Sequence, residues 1–264
     1  MVGADPELFL RKGRRLVSAI SLINGTKRAP LKTSHGAIQW DNILAEYNIN
    51  PANTAEQFVV NNTSVLEDLR KHIGDAYTLD FGAAYWAPAT LLMDPRTLIA
   101  GCTPDFNAWE NGAQNDPPNY RETRLRSAGG HIHISADGIG VDYLARLNLV
   151  RLCDVFIGLP GVLLGDKTDN LRRSVYGKAG AFRPKYLSKD DPYDGVEYRA
   201  SSNWWLRKPE YMTLAFEGAK EAVSKLYDSK LQATLFVKGW DIRDTINKGN
   251  KKQAEELLKY FSRS

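Results

Sequence analysis

Apolar and polar residues alternate from Val2 to Leu10, the period-two signature of a half-buried strand. A turn at Gly13 leads to a second predicted strand, Arg14 to Ile23. Gly36 to Ile49 reads as a third extended run. Spacing then changes to the helical period: Asn53 or Thr54 caps a helix with Glu56 and Gln57 in its first turn and Val60, Leu66 and Leu69 among its apolar positions. Gly74 should end it, and Ala76 to Phe81 predicts a short strand. Residues 100–118 are rich in Pro, Asn, Asp and Gly and read as loop. GGHIHIS, residues 129–135, predicts a strand followed by the turn DGIG. Val141 to Ile157 shows helical spacing through Leu144, Leu147, Val155 and Phe156. Residues 177–193 read as a loop and Val196 to Ala200 as a last strand. Two amphipathic helices, Pro209 to Tyr227 and Ile242 to Phe261, complete the pattern. Strands early and helices between and after them predict an α+β fold on a mainly antiparallel sheet.

Composition narrows the class. The 264 residues are 43% hydrophobic and 25% charged, as in ordinary globular proteins. No linker, repeat or composition break divides them, so one domain over residues 1–264 is expected. The net charge of +4 suits anionic ligands and does not make a nucleic-acid binder. Cys102 and Cys153 lie far apart without CxxC spacing, which fits a reducing compartment rather than a disulfide scaffold or structural zinc. The acidic start, MVGADPELFLRKG, does not read as a signal peptide. No run is expected to reach the ~20 apolar residues of a membrane span. A cytoplasmic location follows as the expectation.

Three predicted strands share one device. Residues i and i+2 of a strand point to one face, ~7 Å apart. Asp5 and Glu7 form such a pair, His131 and His133 a second, and Glu197 and Arg199, in GVEYRASSNWW, a third. Pro6, Ile132 and Tyr198 between them suit the packed opposite face. One such pair is as compatible with a solvated strand face, and an HxH with a zinc pair or two core histidines. Together the three suggest carboxylates and imidazole converging on a divalent ion. In QWDNILAEY, Asp41 and Glu46 are five apart, so one regular strand cannot aim both at one face. Glu46 is the chosen ligand; Asp41 substitutes if a bulge intervenes and is otherwise a turn residue.

From Arg172 to Lys189, RRSVYGKAGAFRPKYLSK holds six basic residues and no acidic one. Arg and Lys donate to phosphate oxygens, and the glycines permit close backbone approach. The spacing matches neither a Walker loop nor GxGxxG. Arg183 and Lys178 are the first choices for phosphate contact, Arg172 and Arg173 the second; Arg126 is a further candidate for an anion. Acids for metal beside bases for polyphosphate point to nucleotide-dependent phosphoryl transfer.

In order and spacing, GADPELF, GGHIHIS, the basic run and GVEYRASSNWW resemble the carboxylate–amine ligase (amidoligase) family, in particular its short phage-type members within the glutamine-synthetase and glutamate–cysteine-ligase superfold. The resemblance covers about residues 2–205; residues 206–264 carry no matching motif. It implies a curved, mainly antiparallel sheet with helices on its convex side, whose concave face holds ATP and Mg2+ or Mn2+. By that resemblance Asp5, Glu7, Glu46, His131 and Glu197 bind metal. His133 and Gly130 lie toward nucleotide or substrate, with Lys178, Arg173 and Arg183 at the phosphates. Arg199 handles substrate carboxylate or transferred phosphoryl. Two departures stand out: Asp5 replaces a longer Glu, and a single Glu46 stands where glutamine synthetase has two carboxylates.

The implied reaction joins a small-molecule or peptide carboxylate to an amine through an acyl phosphate, in the host cytoplasm if the gene is phage-borne. The Pro- and Asn-rich stretch from Cys102 to Pro118 is a candidate cover against water. A metal-dependent hydrolase would use the same acids without needing the basic run. A guanidino-kinase-like phosphotransferase would release a phosphorylated product, and a non-catalytic nucleotide- or peptide-binding module is the third alternative. Trp204 and Trp205 are core residues or candidates for the substrate mouth. The C-terminal helix, with an apolar stripe through Ala254, Leu257, Leu258 and Phe261, is expected to dock on the domain, or on a second subunit in a homo-oligomer, rather than on a membrane.

Overall fold

The computed structural model describes residues 1–99, 104–136, 138–139, 142–186, 188 and 193–262. Along the chain run β1 (Val2–Lys12), β2 (Arg15–Val17), β3 (Leu31–Lys32), β4 (Gly36–Asp41), β5 (Leu44–Ile49), α1 (Ala55–Ile73), β6 (Thr78–Asp80), β7 (Ala84–Trp86), β8 (Phe106–Asn107), β9 (Ala113–Gln114), β10 (Leu125–Ser127) and β11 (Gly130–Ser135). Then follow α2 (Tyr143–Cys153), α3 (Leu159–Leu164), α4 (Lys167–Arg173), β12 (Ala181–Lys185), β13 (Gly195–Tyr198), α5 (Pro209–Ser224), α6 (Ser229–Lys248) and α7 (Lys251–Phe261). The fold is α+β, as predicted.

Eleven strands form one sheet, ordered β3-β4-β5-β1-β11-β13-β12-β8-β9, with β2 and β6 also paired to β1; β7 and β10 form a separate ribbon. Every pairing is antiparallel. The first strand is therefore central, between β5 and β11. Ile132, Ile134, Val196 and Tyr198 point from β11 and β13 into the main core, beside Leu147 and Val150 of α2. α1 packs on α5 and on the β4–β5 side, and α2 on β12 and β13. The alternating residues are left for the other face.

Several elements depart from their predicted form. The run from Arg14 to Ile23 is strand only over β2; Ser18 then caps a 3-10 turn, Ala19–Ser21. The run from Gly36 to Ile49 is a hairpin, not one strand. Asn42 takes a left-handed φ of 54° and its side chain accepts the Ile43 N–H, so Asp41 pairs with Leu44 across a two-residue turn. Within the loop predicted for residues 177–193, Ala181–Lys185 is strand, paired to β13. Thr54, not Asn53, is the α1 cap, accepting from Gln57 N, and Gly74 ends the helix at φ 78°. The C-terminal part holds three helices rather than two, because Asp228 and Asn250 cap α6 and α7 and Gly249 turns left-handed between them.

The helical stretch Tyr143–Leu164, through α2 and α3, is long and apolar enough by length and composition to cross a membrane, which the sequence reading did not expect. Its window is 72% buried inside the protein, which assigns it to the core. A π-turn over Asp154–Gly158 interrupts it, with Leu159 N bonding five residues back to Asp154 O. Pro160 follows, lacking the amide a regular turn needs. Of the predicted features, Cys102 in the cover segment, Asp137 and Gly140 in DGIG, Val141, and Lys189 lie outside the described residues.

Candidate active site

Register assembles the site. Asp5 pairs with His131 across β1 and β11, His133 with Glu197 across β11 and β13, and Glu197 with Arg183 across β13 and β12. On the other side Glu7 faces Glu46 across β1 and β5, and Glu46 faces Gln39. Directly paired residues share a face. A row of acids, imidazoles and guanidinium therefore crosses five adjacent strands opposite the helices. Asp5, Glu7, Glu46, His131, Arg183, Glu197 and Arg199 line one cleft with Lys27, Asp41, Tyr120 and Tyr176.

Distances within the row are short. His133 Nε2 lies 3.0 Å from Asp5 Oδ1, and His131 Nδ1 lies 3.6 Å from both Asp5 Oδ1 and Glu197 Oε1. Arg183 Nη1 donates to Glu197 Oε2 at 3.1 Å, and Arg199 Nη1 lies 3.3 Å from Glu197 Oε1. One donor atom from each of Asp5, His133 and Glu197 falls within 4.8 Å of the other two. Glu7 is held apart by the Gly129 N–H, which donates to its Oε2 at 2.6 Å.

The carboxylates divide into two kinds. Burial pushes Asp5 and Glu197 up, but His133 and His131 outweigh it for Asp5, and Arg199, His133 and Arg183 for Glu197; both are held below the usual carboxylate range. Glu7 and Glu46 are raised, burial being the main cause, with Asp41 adding repulsion that His131 and Lys27 only partly offset. Such a pair calls for more positive charge.

The buried orphan atoms supply the fit test for a metal. Asp5 Oδ1, Glu46 Oε2, His131 Nε2, His133 Nε2 and Glu197 Oε1 are buried without a well-formed hydrogen bond, the Asp5–His133 and Glu197–Arg199 contacts being ion pairs, although buried polar atoms are ordinarily bonded. All five line the same sheet face. Hard oxygen donors with one or two imidazoles suit Mg2+ or Mn2+, so these residues fit the metal that the resemblance implies.

Other predicted residues are placed elsewhere. Gly130 points to the opposite face, where a side chain would run into the Ser202 carbonyl and the Trp205 indole; the missing side chain makes room for the core, not for a ligand. Lys178 lines a neighbouring polar cavity with Asp105, Asp116 and Tyr176, outside the cleft. Arg173 is buried in α4 and donates to Asn170 Oδ1, and Arg172 donates to the Ala200 and Arg199 carbonyls. Arg126 donates to Asn42 Oδ1 and to four backbone carbonyls. These three arginines brace the scaffold. Trp204 and Trp205 are fully buried and line no mouth.

Sequence reasoning missed three residues, Lys27, Tyr176 and Asp105, and left Asp41 as an alternative. Lys27 Nζ reaches Asp41 Oδ2 at 2.5 Å, which brings both into the cleft. Tyr176 accepts from Arg199 Nε at 2.5 Å and stacks edge-on to His131. Asp105 lies 3.3 Å from the same Nε and accepts from Asn115 at 2.8 Å. Arg183 Nε also donates to the Pro104 carbonyl, so the described part of the cover segment is rooted on both cleft arginines. Only the hairpin signal at Asp41-Asn42 was legible locally.

A family model for phage phiEco32-like COOH–NH2 ligase, type 2, matches residues 122–262, more than half of the chain. The chain belongs to that family. Membership makes it a ligase of the carboxylate–amine kind. The matched span contains His131, His133, Arg183, Glu197 and Arg199 and also the three C-terminal helices, which carried no motif in the sequence; Asp5, Glu7 and Glu46 precede it. No curated protein matches the sequence.

Proposed function

We propose that the protein is an ATP-dependent ligase that joins a small-molecule or peptide carboxylate to an amine through an acyl phosphate, in the cytoplasm where ATP is supplied. The observation that carries this reading is the single row in which orphaned acids and imidazoles meet two buried or half-buried arginines. Asp5, His131, His133 and Glu197 would hold one divalent ion, with Glu7 and Glu46 beside it on the same sheet face; when bound, such an ion neutralises and orients polyphosphate oxygens.

The substrate carboxylate oxygen attacks the γ-phosphorus of ATP, the bond from that phosphorus to the bridging oxygen breaks, and ADP leaves. The amine nitrogen then attacks the acyl carbon. The carbon–oxygen bond to phosphate breaks, phosphate departs, and the nitrogen loses its proton to solvent or a base. Arg183, half-exposed at the cleft rim, suits the transferred phosphoryl group. Arg199, fixed by Glu197, Asp105 and Tyr176, suits charge that grows on it, because a pre-oriented guanidinium pays no reorganisation in the transition state.

Incubation with ATP, Mg2+ and pools of carboxylates and amines tests the reading. ADP release that depends on amine, with a product mass equal to both substrates less water, is expected. Bond cleavage without ATP would instead mark a hydrolase, and a stable phosphorylated product without amide a kinase.

A further inference from the structure

Glu7 and Glu46 face each other directly across β1 and β5, and Asp41 stands at the end of the adjoining strand. Like charges opposite one another on a sheet repel. Glu46 is buried, and its Oε2 has no hydrogen-bond partner. Into this group comes Lys27, whose Nζ lies 2.5 Å from Asp41 Oδ2 and 3.8 Å from Glu46 Oε2.

Lys27 is carried on a braced turn. Thr26 and Ala29 exchange backbone hydrogen bonds at 3.0 and 3.1 Å around it, and the Trp40 N–H donates to the Gly25 carbonyl at 3.1 Å, fastening the turn to β4. Gly25 sits so close to the Ile38 carbonyl that no side chain would fit. The braced backbone sets where the Lys27 side chain starts, and its ion pairs with Asp41 and Glu46 draw the ammonium to the acids.

Charge agrees with the geometry. The cleft is lined by five carboxylates (Asp5, Glu7, Asp41, Glu46 and Glu197) and three basic side chains (Lys27, Arg183 and Arg199). Counted at full ionisation, and leaving aside Asp105, which pairs with Arg199 from outside the cleft lining, five negative against three positive leaves two negative charges, the complement of one divalent ion. Without Lys27 the deficit would be three.

We propose that Lys27 is a built-in cation whose ammonium takes the place of a second metal ion between Asp41 and Glu46, so that the nucleotide-free protein binds one divalent ion per chain. The inference rests on the reading of the cleft as a metal site. It also gives a role to the Glu7–Glu46 side, which a lysine partly compensates.

Mn2+ titration of the nucleotide-free full chain, followed by calorimetry and by the electron paramagnetic resonance of free Mn2+, tests it without reference to activity. The native protein should bind one ion. Lys27→Met should bind a second, at least about tenfold more tightly than any second ion on the native chain. Adding Glu46→Gln to Lys27→Met should return the number to one. Lys27→Gln provides the same comparison should Lys27→Met fail to fold, as judged by circular dichroism. Two ions on the native chain, or an unchanged number in both Lys27 variants, would overturn the role of Lys27 and leave the metal site standing. No ion on any variant would remove the metal site and this inference with it.

Discussion

Asp154 offers a perturbation whose size can be worked out. It sits fully buried at the π-turn, accepting from Trp109 Nε1 at 2.6 Å and from the Tyr198 hydroxyl at 2.7 Å. Burial raises its pKa to about 7 from the 3.8 of a free aspartate, against the lowering effect of those hydrogen bonds. The folded protein thus holds a proton that the unfolded chain has released. Its stabilising contribution is complete below pH 3.8 and is lost as pH rises through about 7. At about 1.4 kcal/mol per unit, this group alone removes about 3 kcal/mol of stability between about pH 5 and pH 8. Asp154→Asn keeps the shape, can accept from Trp109 and donate to the Tyr198 oxygen, and has nothing to titrate. Urea unfolding followed by circular dichroism across that range should therefore show the native protein falling away from the variant by roughly that amount. Parallel curves would refute the reasoning. Because Tyr198 lies between Glu197 and Arg199, the same titration should be felt by the end of β13 and the residue that follows it.

Glu7→Gln and Glu197→Gln should each lower amine-dependent ADP release by more than about a hundredfold while the far-ultraviolet spectrum is kept; near-normal turnover in both would end the metal assignment. Glu46→Gln should raise the melting temperature of the metal-free protein, by about 1 kcal/mol or more in stability, because Lys27 offsets only part of the cost of burying Glu46 beside Asp41 and Glu7. A lower melting temperature would mean that Lys27 offsets that cost in full. Tyr176→Phe removes a hydrogen bond to a charged group, worth ~1.5–3 kcal/mol, and should lower kcat about tenfold with KM for ATP unchanged. A loss confined to KM would contradict a role in fixing Arg199.

What the sequence made legible follows from period two. Asp5 and Glu7, His131 and His133, and Glu197 and Arg199 could be put on common faces because strand alternation is local. That the three faces coincide is a matter of register, which no local pattern carries. The turn reading of Asp41 holds, but treating QWDNILAEY as one run hid its neighbour: the left-handed Asn42 reverses the chain and puts Asp41 beside Lys27, some distance earlier in sequence. The basic run looked like one phosphate loop, yet it separates into a buried helix end at Arg172 and Arg173, a turn through Lys178, and a strand bearing Arg183. Basic composition does not distinguish an arginine that binds an anion from one that satisfies carbonyls. Asp105 and Tyr176 reach Arg199 only through tertiary packing, and neither has a sequence signature.

The central place of β1 carries a consequence for synthesis. Val2 to Pro6 find their partners on β11, and Met1 bonds to the Ser135 carbonyl 134 residues later. A ribosome therefore displays an apolar strand with one open edge long before the segment that closes it has been made. Nascent or truncated chains that stop short of β11 should be sticky and inert, with the β11 side of the first strand left open.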